Sequence, residues 1–253
     1  MRSLMAFTKK EFMESLRTYR FFILMTIFML FGFLNPIIAK IMPEILSSVL
    51  PEGMTITLEE PTALDSWMQF FKNISQTGTI VLVVIFSGIV SNEISKGTLV
   101  IMLTKGLSRR AVILSKFISS SIQWTMAYVV CVLITYLYTI YFWSMDNIQN
   151  LGLALFSLWV FGLLLISMTI FGGLLFRSIY GALLFTGGLV LILTVLGIFP
   201  EISPFNPMTL SSKNVPLLTG DYLAKDMISA MIVGIFATIT FITASVVDWM
   251  RLS

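Results

Sequence analysis

The sequence predicts an all-α membrane protein with six transmembrane helices and both termini on the cytoplasmic side. Of its 253 residues, 57% are hydrophobic and only 11% are charged. A soluble domain carries roughly 25% charged residues, so this chain has too few charged residues for a surface that faces water. Six apolar stretches are long enough to cross a bilayer, which takes about 20 residues. Basic residues also concentrate in alternate connections between the stretches.

The predicted spans use nearly the whole chain, so we expect one bundle over residues 21–253 after a short segment over 1–20. The spans are about Phe21–Met42, Ile74–Ser91, Phe117–Phe142, Leu151–Phe176, Tyr180–Phe199 and Met227–Val247. The first is too long for the core of a cleaved signal peptide, so we expect it to remain. Within it, Asn35-Pro36 should kink the helix near its outer end because proline removes a backbone donor.

The charges of the connections predict the orientation. With the N-terminus inside, the cytoplasmic segments hold twelve basic and four acidic residues, whereas the exterior segments hold four basic and nine acidic ones. The two long exterior segments are 43–73 and 200–226. The second contains four prolines among apolar residues, which favours short re-entrant or interfacial turns over a free loop.

Several classes of function are disfavoured by residues that the sequence lacks. No Asp, Glu, Lys or Arg falls in the middle of a span, where ion-coupled carriers place ionisable groups. Lys40 is the nearest, and we expect it to snorkel from the outer end of the first helix. Without histidine, His-ligated zinc sites and Ser-His-Asp hydrolysis are excluded, and the single Cys131 cannot form an intrachain disulfide. No P-loop motif occurs, and a net charge of +3 is too small to indicate nucleic-acid binding.

The segment Leu4–Tyr19, ahead of the first span, has helical periodicity with two unlike sides. Its apolar side holds Met5, Phe12, Met13, Leu16 and Tyr19, and its polar side holds Lys10, Glu11, Glu14, Arg17 and Thr18. This predicts an amphipathic interfacial helix that lies flat on the membrane, with Phe12, Leu16 and Arg17 as candidate functional residues. The alternative is that the helix only anchors the N-terminus.

The longest cytoplasmic connection is the basic stretch Asn92–Lys116, NEISKGTLVIMLTKGLSRRAVILSK. Its apolar residues should form a short surface helix between Gly97 and Gly106, which act as helix breakers. Such a helix suits docking onto a soluble partner. A simpler interpretation of the basic residues Arg109, Arg110 and Lys116 is that they only set the orientation.

This connection resembles the motif of the type-2 ATP-binding-cassette (ABC) exporter permeases. The matching residues are Glu93-x-x-x-Gly97-Thr98-Leu99, Leu103-Thr104, Ser108-Arg109 and Lys116. Two positions depart from the family pattern, since Gly106 replaces a usual proline and Val100 a common acid. The predicted architecture, with its N-terminal amphipathic helix and six spans, is also similar to the family throughout.

The resemblance implies that this loop is a coupling helix seated in a groove of a separate ATPase subunit. The implied coupling residues are Glu93, Gly97, Thr98, Leu99, Met102, Leu103, Ser108 and Arg109. From its own chemistry, Glu93 at the membrane edge could pair with a basic residue, cap a turn, or remain a plain interfacial charge.

The resemblance further implies two permease chains, with a homodimer expected, and one ATPase under each. ATP and Mg would be bound by the ATPase, and no cofactor by this chain. The expected function is ATP-driven export of a hydrophobic or amphipathic substrate (a drug, peptide or lipid) across a bacterial plasma membrane. An ion-gradient-driven secondary transporter is the alternative. An intramembrane enzyme lacks convincing catalytic residues, and composition leaves a purely structural or sensory subunit open.

Overall fold

The structure, a computed structural model, describes residues 2–49, 60–95, 109–145 and 148–251. Within these ranges the chain is helical and contains no β-strand. The helices are α1 (Arg2–Arg17), α2 (Arg20–Val49), α3 (Ala63–Asn73), α4 (Thr79–Ser95), α5 (Arg109–Phe142), α6 (Leu151–Phe176), α7 (Ile179–Leu196), α8 (Thr209–Ser212), α9 (Asn214–Thr219) and α10 (Ala224–Arg251). The predicted all-α fold is confirmed.

Six helical segments in these ranges are long and apolar enough to span a membrane, which confirms the predicted number. They are Arg20–Ile45, Ala63–Ser95, Arg110–Phe142, Leu151–Phe176, Ile179–Leu196 and Ala224–Val247. The second begins well before the predicted Ile74, because α3 joins α4 through a π-helical turn at Ile74–Gly78. The start of α3 is capped by Asp65, whose carboxylate accepts a hydrogen bond of 2.8 Å from the backbone N–H of Thr62.

Helix α2 continues as a single helix through Pro36 and Pro43. The start of the predicted exterior segment 43–73 is therefore helical, as is its last part, α3. The buried side-chain oxygen of Asn35 accepts a hydrogen bond of 2.8 Å from the amide of Asn73. This contact ties the middle of α2 to the last residue of α3.

Lys40 is exposed on α2, and its ammonium group lies 4.1 Å from the ring centroid of Phe142, the last residue of α5. The end of α5 that carries Phe142 is opposite to the end that follows the loop predicted to be cytoplasmic. Lys40 therefore has a cation–π partner at the end of the bundle where the sequence predicted that it would snorkel.

The core of the bundle surrounds α6, most of whose residues are buried. The indole of Trp124 packs edge-on against Phe28 at 5.3 Å between ring centroids, which joins α5 to α2. The same indole donates a hydrogen bond of 3.1 Å to the backbone oxygen of Trp159 in α6. Helix α7 lies at the periphery, and Ala182 and Thr186 are its buried residues.

The proline-rich segment between α7 and α10 forms a 3₁₀ turn at Ser203–Phe205 followed by α8 and α9. Leu210, Leu217 and Leu218 from this segment are fully buried. The Ser157 hydroxyl of α6 donates a hydrogen bond of 2.8 Å to the side chain of Asn214. The segment thus consists of short helical turns that pack into the helix bundle, and its re-entrant or interfacial place in the membrane stays a prediction.

Candidate functional site

The residues predicted to couple to an ATPase fall in two groups in the structure. Glu93 lies in the last turn of α4, and Arg109 is the first residue of α5. The others lie outside the described residues: Gly97, Thr98, Leu99, Met102, Leu103 and Ser108. The site can therefore be built from the helices that border segment 96–108 and from α1, which packs beside them.

Helix α1 packs mainly against α5, and also against α2. Its most buried side chains are Phe7, Glu11 and Ser15, which follow one another at four-residue intervals and share one face. Met5 and Met13, from the predicted apolar side, are exposed. The helix thus presents a mixed apolar and polar face to the protein, and separate apolar side chains remain on its surface.

The other candidate residues of α1 take up different positions. Phe12 is half-buried and its ring centroid lies 5.6 Å from that of Phe21 at the start of α2. Leu16 is also half-buried, whereas Arg17 is exposed. Phe12 and Leu16 therefore contribute to the packing of α1 on the bundle. Arg17 takes part in none of the ion pairs found among the described residues.

An ion-pair cluster joins α1 to α4 and α5. The ammonium group of Lys116 in α5 lies 2.9 Å from a carboxylate oxygen of Glu11 and 2.7 Å from one of Glu93. Lys10 closes the cluster from the surface side, at 3.2 Å from Glu11 and 3.4 Å from Glu93. It also pairs with Glu14 at 2.9 Å. Lysines and glutamates therefore alternate across three helices.

Burial makes this cluster unlike an ordinary surface network. The side chain of Lys116 is 0% exposed, that of Glu11 4% and that of Glu93 11%. Buried charges are costly unless they are paired, and removing one partner leaves another uncompensated. The interpretation of Lys116 as a simple orientation charge is therefore wrong. Glu93 does pair with basic residues, one of the contacts expected for it, and its role in coupling stays a prediction.

The electrostatics at the outer part of the cluster favour full ionisation. Partial burial alone would lower the pKa of Lys10, but its hydrogen bond to Glu14 and the charges of Glu11 and Glu93 raise it above the ordinary 10.5. Burial alone would raise the pKa of Glu14, but its hydrogen bond to Lys10 and the charges of Lys10 and Lys116 lower it below the ordinary 4.5. Both groups are charged at neutral pH.

A polar stripe on α5 extends the cluster along the contact with α1. Lys116, Ser119, Ser120 and Gln123 are all buried and lie on one face, at spacings of three, four and seven residues. The Ser15 hydroxyl donates a hydrogen bond of 2.5 Å to the side-chain oxygen of Gln123, and the amide of Gln123 donates one of 3.2 Å to Ser119. This stripe fixes how α1 sits along α5.

The carboxylates of Glu11, Glu14 and Glu93 converge closely enough to be considered as metal ligands, with oxygens within 4.8 Å of one another. The ammonium groups of Lys10 and Lys116 lie among them at hydrogen-bonding distance. A divalent cation at the same place would meet two positive charges at close range. The cluster is therefore suited to holding three helices together, and not to holding a metal.

The family model described as ABC-2 family transporter protein matches residues 5–217 of this chain, from α1 through most of α9. The chain belongs to the ABC-2 family. The matched region contains both partners of each ion pair in the cluster, and the resemblance inferred from the loop motif is confirmed. A similar relative is the uncharacterized transmembrane protein YxlG of Bacillus subtilis (strain 168), 23% identical over 186 residues, or 72% of this chain and 71% of the relative.

Membership of the ABC-2 family establishes the general role of the protein. It is the membrane-spanning permease subunit of an ABC transporter and a multi-pass protein of the cell membrane. ABC-2 permeases work with separate ABC ATPase subunits. The partner that supplies the energy therefore acts on this chain from outside its helix bundle.

Proposed function

We propose that this ABC-2 protein is the permease of an ATP-driven exporter, and that its ion-pair cluster transmits ATPase movement into the helix bundle. The ATPase docks on segment 96–108 at the cytoplasmic face, with the N- and C-termini on the same side. Two copies of the permease pair as a homodimer over two ATPase subunits, which bind ATP and Mg. The chain itself contributes no catalytic, cofactor or metal site. The cargo is hydrophobic or amphipathic, in the class of drugs, peptides and lipids.

The observation that carries this proposal is the position of Lys116 between Glu11 and Glu93. Glu93 ends α4 and Lys116 lies in the second turn of α5, so the two residues border segment 96–108 on either side. Glu11 adds α1 to the same joint. A displacement of segment 96–108 would therefore move the ends of α4 and α5 and the N-terminal helix together.

Burial of the joint supports transmission as a rigid-body movement. Side chains that are buried and ion-paired at 2.7 and 2.9 Å cannot exchange partners without exposing or stranding a charge. The helices that they connect should accordingly shift as one unit when the ATPase dimer closes. The route for cargo would then open between the two copies of the permease.

The proposal is tested with the permease purified together with the ATPase encoded by the neighbouring gene, where we expect a reading frame with Walker motifs. The measured quantity is the stimulation of ATP hydrolysis by the permease in proteoliposomes. Glu93→Lys and Gly97→Pro should abolish this stimulation, because the first places a third cation in the cluster and the second stiffens the loop. Both variants should still insert in the membrane.

Glu201→Lys is the matched control, since Glu201 is an exposed glutamate in the segment between α7 and α10 and should tolerate the same charge reversal. Normal stimulation in both test variants would remove the proposed role of the loop. Transport by the purified permease without any ATPase would instead support an ion-gradient-driven carrier.

A further inference from the structure

Two cavities adjoin each other away from the ion-pair cluster. One, of about 250 Å³, lies between α4, α6 and α7. The other, of about 340 Å³, lies between the end of α3, the π-helical turn, α8 and α9. Ser75 and Met208 line both cavities. We call the pair the amphipathic groove, because its two parts differ in chemistry.

The part between α4, α6 and α7 is apolar. Ile80, Val84, Phe161, Leu165 and Val190 are among its lining residues. Its two threonine hydroxyls have partners within the protein, since Thr79 donates to the backbone oxygen of Ser75 at 2.6 Å and Thr186 lies 3.3 Å from Thr169. This part therefore offers hydrocarbon contact and little to a polar group.

The other part is more polar than the first and carries a positive charge. Lys72, Gln76 and Ser212 line it and are exposed, and neither part is lined by an aspartate or glutamate. Lys72 takes part in none of the ion pairs found among the described residues. Its ammonium group is thus available to an anion that enters the groove.

The π-helical turn Ile74–Gly78 forms the junction between the two parts. Such turns are rare, and they occur frequently at functional sites. The Ser75 hydroxyl within the turn donates a hydrogen bond of 2.9 Å to the backbone oxygen of Ser211, which attaches α8 beside the junction. The polar and apolar parts are therefore held side by side by a defined contact.

We propose that the amphipathic groove binds the transported cargo, and that this cargo is a single-chain amphipathic anion. Its hydrocarbon chain lies between α4 and α7, and its anionic head lies at Lys72. Ligand cavities commonly measure roughly 300–1,000 Å³, so the two adjoining cavities together have room for one hydrocarbon chain and its head group. The inference rests on the proposed function, because it names the cargo class of the exporter.

Binding is measured on the full permease–ATPase complex in a neutral detergent with two probes of equal chain length, dodecyl phosphate and dodecyltrimethylammonium. Lys72→Gln should weaken the affinity for dodecyl phosphate by about two- to fivefold, as expected for one exposed charge pair. The affinity for the cationic probe should not fall, because Lys72 repels a cationic head group. Lys225→Gln, at an exposed lysine in the first turn of α10, should change neither.

Two neighbouring glycines of α7 offer a sharper comparison. A Cβ atom at Gly187 or at Gly188 meets no atom within 4 Å, so neither backbone position is crowded at the point where a side chain would begin. Only Gly187 lines the groove. Gly187→Leu should weaken both probes by about tenfold or more by filling the groove, whereas Gly188→Leu should bind as the unchanged protein does.

Equal affinity for both probes, or equal loss in the two glycine variants, would overturn the inference. A probe that binds in the groove but is not moved across vesicles on addition of ATP would also overturn it, because the groove would then hold a resident bilayer lipid. Stimulation of ATP hydrolysis is recorded in the same complexes. If the probes do not bind but the permease still stimulates ATP hydrolysis, only the inference about cargo binding in the groove is contradicted. If the unchanged complex shows no stimulation, the proposed function is contradicted.

Discussion

The ammonium group of Lys116 lies 2.7 Å from a carboxylate oxygen of Glu93, and the lysine side chain is entirely buried. Glu93 belongs to α4 and Lys116 to α5, the helices on either side of segment 96–108, so the ion pair joins the ends of these two helices. Glu11 approaches the same ammonium group from α1 at 2.9 Å. The ammonium group of one lysine in α5 thus contacts carboxylates from both α1 and α4.

Replacement of this lysine by a neutral side chain of similar length should be severely destabilising. We expect Lys116→Met to lower the free energy of unfolding by about 3–5 kcal/mol, because it removes the fully buried cation that faces the carboxylates of Glu11 and Glu93. The measurement is unfolding in mixed micelles, followed by circular dichroism. Lys225→Met, at an exposed lysine, should change the free energy by less than about 0.5 kcal/mol.

The double variant Lys116→Met/Glu93→Gln removes one charge of each sign and should recover part of the loss. Equal stability of Lys116→Met and Lys225→Met would contradict the conclusion that the buried pair holds the helices together.

The outer part of the cluster predicts a pH dependence. The folded-state pKa of Glu14 is lowered, so its stabilising effect is present above the ordinary pKa of 4.5 and is lost as pH falls below that value. The pKa of Lys10 is raised, so its effect is present below the ordinary 10.5 and is lost only as pH rises beyond that value. Thermal stability should thus fall on acidification below about pH 4.5.

Glu14→Gln should make the acid-side decline of the melting temperature shallower, whereas Glu201→Gln, at an exposed glutamate, should leave it unchanged. A decline of the same steepness in Glu14→Gln and in the unchanged protein would show that other carboxylates account for it.

Close packing of α5 on α6 depends on one glycine. A Cβ atom at Gly162 would overlap the indole ring of Trp124, which is fully buried and hydrogen-bonded to α6. Gly162→Ala should therefore destabilise the bundle by about 1–3 kcal/mol through overpacking. At Gly152, on the same helix, a Cβ atom meets nothing within 4 Å.

Gly152→Ala should therefore stabilise the protein slightly, by about 0.5–1 kcal/mol, because alanine restricts the unfolded chain. The two variants are compared by their melting temperatures in detergent. A decrease of similar size in both would mean that the contact with Trp124 is not the cause.

The six spans could be predicted from the sequence because the bilayer imposes a length and an apolar composition on any helix that crosses it. The start of the second span at Ala63 could not. Trp67, Phe70 and Phe71 in α3 are buried against neighbouring helices, and hydropathy alone does not distinguish such a helix from an exterior connection that contains aromatic residues.

The burial of Lys116 could not be predicted from the excess of basic residues in cytoplasmic connections. That rule counts basic residues near the ends of spans, but it does not say whether each one faces lipid headgroups or another helix. The spacing of Lys116, Ser119, Ser120 and Gln123 could have indicated one polar face within an apolar helix. It could not have indicated that Glu11 covers this face. That pairing depends on the left-handed turn at Tyr19 (φ 59°), which connects α1 to α2 and directs α1 along α5.

The hydrogen bond between Ser15 and Gln123 predicts how α1 can be loosened without disturbing the spans. Gln123→Leu keeps the size of the side chain but leaves the buried Ser15 hydroxyl without this acceptor, at a cost of about 1–3 kcal/mol. The cost falls on the contact between α1 and α5, so α1 should open locally more often. Backbone amides of α1 should exchange with deuterium faster, as measured by mass spectrometry, while those of α6 keep their rates.

Ser15→Ala combined with Gln123→Leu removes the donor together with the acceptor and should restore slow exchange in α1. Gln149→Leu, at an exposed glutamine, serves as the control. Faster exchange in α6 as well would mean that the variant weakens the whole bundle. If α1 alone is loosened, the same variant should also reduce stimulation of ATP hydrolysis, because the proposed joint requires α1 to move together with α4 and α5.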